Sequence, residues 1–268
     1  MHILGVDIGG TGIKAAPVDT DTGTLISERI KIATPHPAAP GPIADVVAEL
    51  VQKFSWTGRV GVAFPGVIMN GVTRTAANLS KDWIGLDARA LFGRATGLGV
   101  SLVNDADAAG VAEMKFGAGA GHDGVVLMLT FGTGIGSALF LDGKLVPNTE
   151  FGHIEIRGKD AEKRASEHAR ELGDLSWGTW AGRVDEYLRH IEALLSPELI
   201  IVGGGISKKS DKFLPLLTGL NAPVIPARML NDAGIVGAAM AADQAPVGAS
   251  GSMASAGPSS GKLPEAGR

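Results

Sequence analysis

Leu4-Gly5-Val6-Asp7-Ile8-Gly9-Gly10-Thr11-Gly12 opens the chain, and Leu129-Thr130-Phe131-Gly132-Thr133-Gly134-Ile135-Gly136 repeats its plan in the second half. Each is an apolar strand that leaves into a run of glycines. Without a Cβ, the backbone N–H groups of such a turn can approach an anion and line up on it. Thr11, Thr130 and Thr133 add hydroxyl donors. A single turn of this kind often marks only a tight hairpin. Two of them, roughly a domain apart and both anchored on strands, predict the jaws of a phosphate-binding cleft.

Working outward from the first turn, residues 2–8, 13–18 and 24–33 alternate or run apolar and read as antiparallel strands. Thr34-Pro35-His36-Pro37 breaks that pattern. A helix follows, with Ile43, Val46, Val47, Leu50 and Phe54 at helical spacing. Val60 to Phe64 is a short apolar strand ended by Pro65-Gly66. A loop holding Asn78, a helix near 87–95, the strand Val100 to Val103 and a helix over 105–116 complete an α/β layer. The plot then recurs. A strand over 124–132 precedes a hairpin over 135–146, turned at Asp142-Gly143. A helical region covers 160–195, and strand Leu199 to Val202 enters Gly203-Gly204-Gly205. Two halves with matching turns predict two lobes around one cleft. The first spans 1–115 and the second 116–231. An amphipathic terminal helix over 232–243 is free to pack on either lobe and is a candidate to complete the first. Beyond Gln244 the composition turns to Gly, Ser, Ala and Pro, so 246–268 reads as a flexible tail.

Bulk composition narrows the function classes. The chain has 268 residues, 45% apolar and 19% charged, which supplies ample core. A net charge of −4 gives no general attraction for nucleic acid or an anionic membrane, so any polyanion needs a local basic patch. Zero cysteines exclude disulfides and thiolate zinc sites and fit a reducing cytoplasm. The opening Met1-His2-Ile3-Leu4-Gly5 resembles no signal peptide, and no stretch is long and apolar enough for a membrane span.

Asp7 stands inside the first phosphate turn, where its charge would repel phosphate oxygens unless a cation intervened. Mg²⁺ resolves this, because it is typically held by one or two carboxylates plus substrate phosphates. The plainer reading is an Asp that caps the turn. Lys14 follows on the next strand and either meets a phosphate or is solvated. Asn104-Asp105-Ala106-Asp107 lies where a strand becomes a helix, the end at which active sites gather in such sheets. Asp105 is suited either to take the proton of an attacking hydroxyl or to cap the helix. Glu150 and His153, after the second-half hairpin, suit a polyhydroxy ligand, although either is commonplace on a solvated loop. Gly203-Gly204-Gly205-Ile206-Ser207-Lys208-Lys209 leaves a strand and opens a possible helix, which makes it an anion site or a solvated basic turn.

Taken together, these motifs resemble those of the ROK sugar kinases in order and spacing. Those that carry the resemblance are Asp7-Ile8-Gly9-Gly10-Thr11, Asn104-Asp105-Ala106-Asp107, Thr130 through Gly136, Glu150-Phe151-Gly152-His153 and Gly203-Gly204-Gly205. Ala76-Ala77-Asn78-Leu79, Lys81-Asp82-Trp83, Pro147-Asn148-Thr149-Glu150 and Trp177 with Trp180 are similar to the polyphosphate glucokinase branch and its polyphosphate/ATP glucomannokinases. The resemblance covers about residues 3–243. It implies an α/β fold of the two-lobed actin/hexokinase-like ATPase (ribonuclease H-like) class with a central interlobe cleft. It implies transfer of a phosphoryl group to the 6-hydroxyl of glucose, with mannose as a further acceptor and polyphosphate or ATP as donor, with Mg²⁺.

Carried over motif by motif, Asp105 is the implied catalytic base. Asn78, Asn104, Asp105, Glu150, His153 and Glu167 form the sugar set. Gly9, Gly10, Thr11, Thr130, Gly132, Thr133, Gly134, Gly204, Gly205 and Lys208 form the implied donor set; the reading of the residues themselves adds Gly12 and Lys14 and has Asp7 face the metal through water. Many relatives carry a cysteine-rich structural zinc motif after the His of the sugar loop. Here that stretch reads Lys159-Asp160-Ala161-Glu162-Lys163-Arg164, so no structural zinc is expected. Implied partners are a hexose, inorganic polyphosphate and ATP, with no nucleic acid and no membrane, in a cytoplasmic monomer or homodimer. A strictly ATP-dependent glucokinase is the nearest alternative. A sugar-sensing ROK regulator would need a DNA-reading segment, yet only six residues precede Asp7. An actin-like filament protein would have no use for Glu150-Phe151-Gly152-His153 beside Asn104-Asp105.

Overall fold

The computed structural model describes residues 1–77 and 79–244; Asn78 and the 246–268 segment lie outside the described residues. The first half forms a sheet from strands β1 (His2–Ile8), β2 (Gly12–Asp19), β3 (Thr24–Leu25) and β4 (Ile30–Ala33), followed by helix α1 (Pro40–Lys53). Strand β5 (Val60–Phe64), the small hairpin β6 (Ile68–Met69) and β7 (Val72–Thr73), helix α2 (Ala88–Thr96), strand β8 (Val100–Asn104) and helix α3 (Asp105–Phe116) continue it. Strand order is β3-β2-β1-β5-β8, with β4 also paired to β2. β1 and β2 are antiparallel, while β5 joins β1 and β8 in parallel. β5 is buried along its whole length, as a central parallel strand should be. The 24–33 stretch, expected as one strand, is instead split. Exposed Ile26-Ser27-Glu28-Arg29 separates β3 and β4, which pair with opposite ends of β2.

The second half repeats the plan. Strands β9 (Val125–Phe131), β10 (Ile135–Leu141) and β11 (Lys144–Val146) form antiparallel ribbons. Two short strands follow, β12 (Glu155–Ile156) and β13 (Lys159–Asp160), then helices α4 (Glu162–Ala165), α5 (Glu167–Leu172) and α6 (Trp177–Leu195). Strands β14 (Leu199–Gly203) and β15 (Val224–Pro226) lead to helix α7 (Ala233–Gln244). Order here is β11-β10-β9-β14-β15, with β9, β14 and β15 parallel. The hairpin-then-parallel path β2-β1-β5-β8 therefore has its counterpart in β10-β9-β14-β15.

The helical region over 160–195 is three helices rather than one, because serines restart it. Ser166 Oγ accepts from Ala169 N at 3.1 Å, and Ser176 Oγ accepts from Thr179 N at 3.2 Å, each capping a new helix. The glycine run after β14 opens into 3-10 turns over Gly205–Lys212, in which Lys209 leaves helical geometry, and not into an α-helix. β15 escapes periodicity reading because it has only 3 residues.

α7 differs from expectation in character. It is buried nearly all round, through Ile235, Val236, Ala238, Ala239, Met240 and Ala242, so no polar face shows. Its seat is the first sheet. A Cβ at Gly5 would strike the Ile235 carbonyl, and one at Gly61 the Ala238 carbonyl. Where α7 crosses α3, Gly237 lies against the Ala108 carbonyl. α3 also touches the second sheet, where Gly110 leaves room for Ala138 and Phe140. Glycines thus set the backbone separations that hold the two sheets about the α3–α7 pair. Separate cores flank this middle layer: Leu50, Val62, Trp83 and Phe92 on one side, Leu129, Trp180, Val202 and Phe213 on the other. Among the described residues no helix is long and apolar enough to cross a membrane.

Candidate active site

Both glycine turns open into one polar cleft of about 600 Å³. Gly9 and Gly10 line it from the first sheet, and Thr130, Gly132, Thr133, Gly134 and Gly136 from the second. The ends of the neighbouring strands complete the floor, with Pro65-Gly66 after β5, Asn104-Asp105 after β8 and Gly204-Gly205 after β14. Each turn is closed by its own backbone. Gly9 N donates to Gly12 O at 3.1 Å, and Gly132 N to Gly134 O at 3.0 Å. Thr34, just past β4, ties down the first turn by donating its hydroxyl to Gly9 O at 2.5 Å.

Asn104 decides what Asp105 can do. Its Oδ1 accepts from Ala106 N at 2.9 Å and Asp107 N at 3.0 Å, which makes Asn104 the cap of α3. Its Nδ2 donates to Gly66 O at 3.1 Å, joining the ends of β8 and β5. With capping done by its neighbour, Asp105 is left at the cleft, where one oxygen also accepts from Ala106 N at 2.9 Å. Burial and then the charge of Asp7 push the Asp105 carboxyl up to about 7, against the pull of the Ala106 N–H. A carboxyl poised there is well matched to general-base work near neutral pH. Asp107 is also pushed up to about 7, chiefly by burial, but points away to accept from Asn148 N at 2.8 Å.

Asp7 and Lys14 face each other across the β1–β2 hairpin, Nζ to Oδ2 at 3.4 Å. Burial raises the Asp7 carboxyl while Lys14 lowers it. Both line a smaller cavity of about 170 Å³ that shares Asp105, Thr130 and Gly204 with the main cleft. Glu150 and His153 lie on the opposite wall, Oε2 to Nε2 at 3.8 Å. Burial raises the Glu150 carboxyl, and His153 opposes that shift. Ser137 Oγ holds their loop by donating to Thr149 O at 2.7 Å and accepting from Phe151 N at 3.0 Å.

The remaining expected residues sit elsewhere. Thr11 and Gly12 belong to the first turn but do not line the cleft, and the Lys31 side chain fills the space beside Gly12. Glu167 stands next to Gly205 and within 3.9 Å of Lys209, outside the lining residues. Lys208 is exposed on the 3-10 turns. Sequence reasoning missed the cleft residues Thr75, Ser137, Thr149 and Glu162. Glu162 Oε2 accepts from Ile135 N at 3.3 Å beside the second turn. Its position in the stretch that replaces the zinc motif was the available signal. Among the described residues, the grouping able to hold a metal ion is His153, Asp160 and Glu162, and it does not include Asp7.

Two sheets of one plan, each offering a glycine turn and strand ends to a shared cleft, define the fold of the actin/hexokinase-like, ribonuclease H-like ATPase class. The chain belongs to the ROK family, whose model matches residues 3–170. It is 53% identical to the polyphosphate glucokinase of Mycobacterium tuberculosis over 90% of this chain and 91% of that one. Among solved structures it is similar to the inorganic polyphosphate/ATP-glucomannokinase of Arthrobacter sp. strain KM, at TM-score 0.86 and 51% identity, covering 89% and 97% of the two chains. A ROK family glucokinase from Streptomyces griseus, solved with glucose and AMPPNP, gives TM-score 0.78 at 28% identity, covering 91% of this chain and 100% of that one.

Proposed function

We propose that the protein is a cytoplasmic hexokinase that moves the terminal phosphoryl group of polyphosphate, or of ATP, to the 6-hydroxyl of glucose and of mannose. The observation that carries this reading is the convergence of both glycine turns, Asp105, Glu150 and His153 on one cleft. Asp105 accepts the proton of the 6-hydroxyl as its oxygen attacks phosphorus. The P–O bond to the rest of the donor breaks, and the shortened polyphosphate or ADP leaves with the electron pair. Backbone N–H groups of the two turns, with the hydroxyls of Thr130 and Thr133, offset charge on the transferring group. Glu150, His153 and Asn104 orient the sugar ring. Lys208 and Lys209 serve the distal phosphates. In this reading residues 1–115 with α7 form one lobe and 116–231 the other, and their closure excludes water.

Mg²⁺ suits the donor side. Asp7 and Asp105 are oxygen donors of like charge close enough for one to raise the proton affinity of the other, a pairing that a hard cation relieves. Asp7 would hold it together with donor phosphates, where the ion neutralises phosphate charge. The test is direct: purified protein, glucose or mannose, polyphosphate or ATP, with Mg²⁺ or a chelator, following sugar 6-phosphate. Turnover with polyphosphate that stops on chelation is expected. Turnover with ATP alone would overturn the polyphosphate assignment.

A further inference from the structure

We propose that Asn148 is a positioning residue that clamps the two walls of the sugar pocket to one another across the lobes. The inference rests on the reading that the Glu150–His153 wall takes the sugar hydroxyls. Asn148 does not itself line the cleft. Its side chain instead grips both backbone groups of a single residue in the other half of the molecule. Ile68 N donates to Asn148 Oδ1 at 2.9 Å, and Asn148 Nδ2 donates to Ile68 O at 2.9 Å. The pair imitates a rung of a β-ladder, made by an amide side chain in place of a strand.

Each end of the clamp is tied to a pocket wall. On its own side, Asn148 stands two residues before Glu150, and its backbone N crosses, like the side chain, to the first half, where it is anchored to the buried Asp107 carboxylate on α3. Thr149, between them, is fixed to Ser137 on β10. On the far side, Ile68 begins the β6–β7 hairpin, two residues after Gly66, which lines the cleft. Val67 N donates to Thr75 Oγ1 at 2.9 Å, and Arg74 N donates to Val67 O at 2.8 Å. The stem of the hairpin therefore sets where Thr75, Ala76 and Ala77 meet the cleft. The residue type fits the task closely. Asn148 has φ +60°, a left-handed conformation that Asn tolerates better than most side chains, and its amide supplies one acceptor and one donor.

Asn148→Gly isolates the clamp. Glycine keeps the left-handed backbone and the N–H to Asp107 while removing both bonds to Ile68. Losing two hydrogen bonds should raise KM for glucose about tenfold, with KM for ATP and for polyphosphate unchanged within twofold. Calorimetry on the same folded protein should show weaker glucose binding and unaltered donor binding; a merely loosened fold would weaken both. Asn148→Asp, which keeps the acceptor for Ile68 N but loses the donor, should fall between. Glucose KM within twofold of the parent, or equal losses for sugar and donor, overturns the clamp. Glu150→Gln runs alongside. If it weakens glucose binding while Asn148→Gly does not, the clamp alone fails. If Glu150→Gln leaves glucose binding untouched, the reading of the sugar wall fails and the clamp falls with it.

Discussion

The two glycine turns occupy equivalent places in equivalent hairpins, yet they are chemically opposite. In the first, Asp7 pairs across the hairpin with Lys14, and the ion pair is held at 3.4 Å. In the second, the corresponding rung is Thr130 opposite Gly136, where any Cβ would strike the Thr130 hydroxyl. At this rung the first half carries a charged pair, and the second carries a hydroxyl opposite a glycine. The third strand end repeats the contrast, since β8 delivers Asn104-Asp105 and its counterpart β15 ends in Val224–Pro226. A duplicated plan therefore carries a division of labour. At the turns themselves the first half carries charge and the second a hydroxyl and backbone dipoles, while the charged groups of the second half, Glu150, His153 and Glu162, line the cleft from later segments.

The sharpest way to break that contrast is to remove the defining group of each lobe. Asp105→Asn should lower kcat at least ~10²-fold, the low end of general-base effects, while glucose binding by calorimetry stays within a few-fold. Thr130→Val, which deletes one neutral donor, should cost about tenfold at most. Equal losses would mean that the two lobes share the chemistry evenly. Near-full turnover in Asp105→Asn would remove the base altogether.

Packing gives a second comparison, between glycines that face protein and glycines that face the cleft. Gly5→Ala would drive a methyl group into the backbone carbonyl of Ile235, and overpacking of this kind costs about 1–3 kcal/mol. Gly132→Ala meets open space and should leave the denaturant midpoint unchanged while raising KM for the donor. A stability loss confined to Gly132→Ala would invert the assignment of the two glycines.

These glycines also show what the sequence could and could not disclose. Both turns, Asp105 and the Glu150–His153 wall were legible because each rests on short-range pattern: a strand, a glycine run, a strand-to-helix junction. The partition between Asn104 and Asp105 was not, since either side chain can cap a helix and only the structure shows Asn104 doing so. Nor was the character of α7. Ile235, Val236, Ala239 and Met240 suggest one apolar face, but Ala238 and Ala242 on the other sides are equally buried. Small residues are silent about burial until a neighbour's glycines are seen to admit them. The joints at Ser166 and Ser176 were written in the sequence as helix caps, and helical periodicity passed over them.

Titration sharpens the contrast between Asp105 and Asp107, which stand two residues apart with carboxyls near the same value. Asp105 faces the cleft and Asp107 the Asn148 loop. If Asp105 is the base, kcat/KM should fall about tenfold per pH unit below about 7, because protonation removes the acceptor. Asp107→Asn should keep that limb in place. Stability has its own sign. Both carboxyls hold protons in the folded protein to higher pH than in the unfolded chain. The stability these two carboxyls contribute should therefore be fullest below about pH 4 and decline up to about pH 7. Denaturant midpoints across that window check it, and Asp107→Asn should flatten part of the decline. A limb that moves in Asp107→Asn would assign the titration to the wrong carboxyl.

The smallest expected effect lies beyond Gly204-Gly205, where the second half gathers positive charge. Lys209 Nζ lies 3.9 Å from Glu167 and 6.0 Å from the centre of the Trp177 ring, and Lys208 is exposed beside it. Lys212 and Arg170 approach the same ring at 5.5 and 4.4 Å, so positive charge continues outward from Gly205. A long phosphate chain would reach these groups, whereas the triphosphate of ATP ends sooner. Exposed charges each contribute under about 1 kcal/mol and are screened by salt. Lys208→Ala with Lys209→Ala should therefore raise KM several-fold for long polyphosphate, less for ATP, and the difference should shrink as salt is added. Equal changes for both donors would confine the polyphosphate path to the cleft. Both donors would then be held by the same turn groups, Lys14 on the first side and Thr130 and Thr133 on the second.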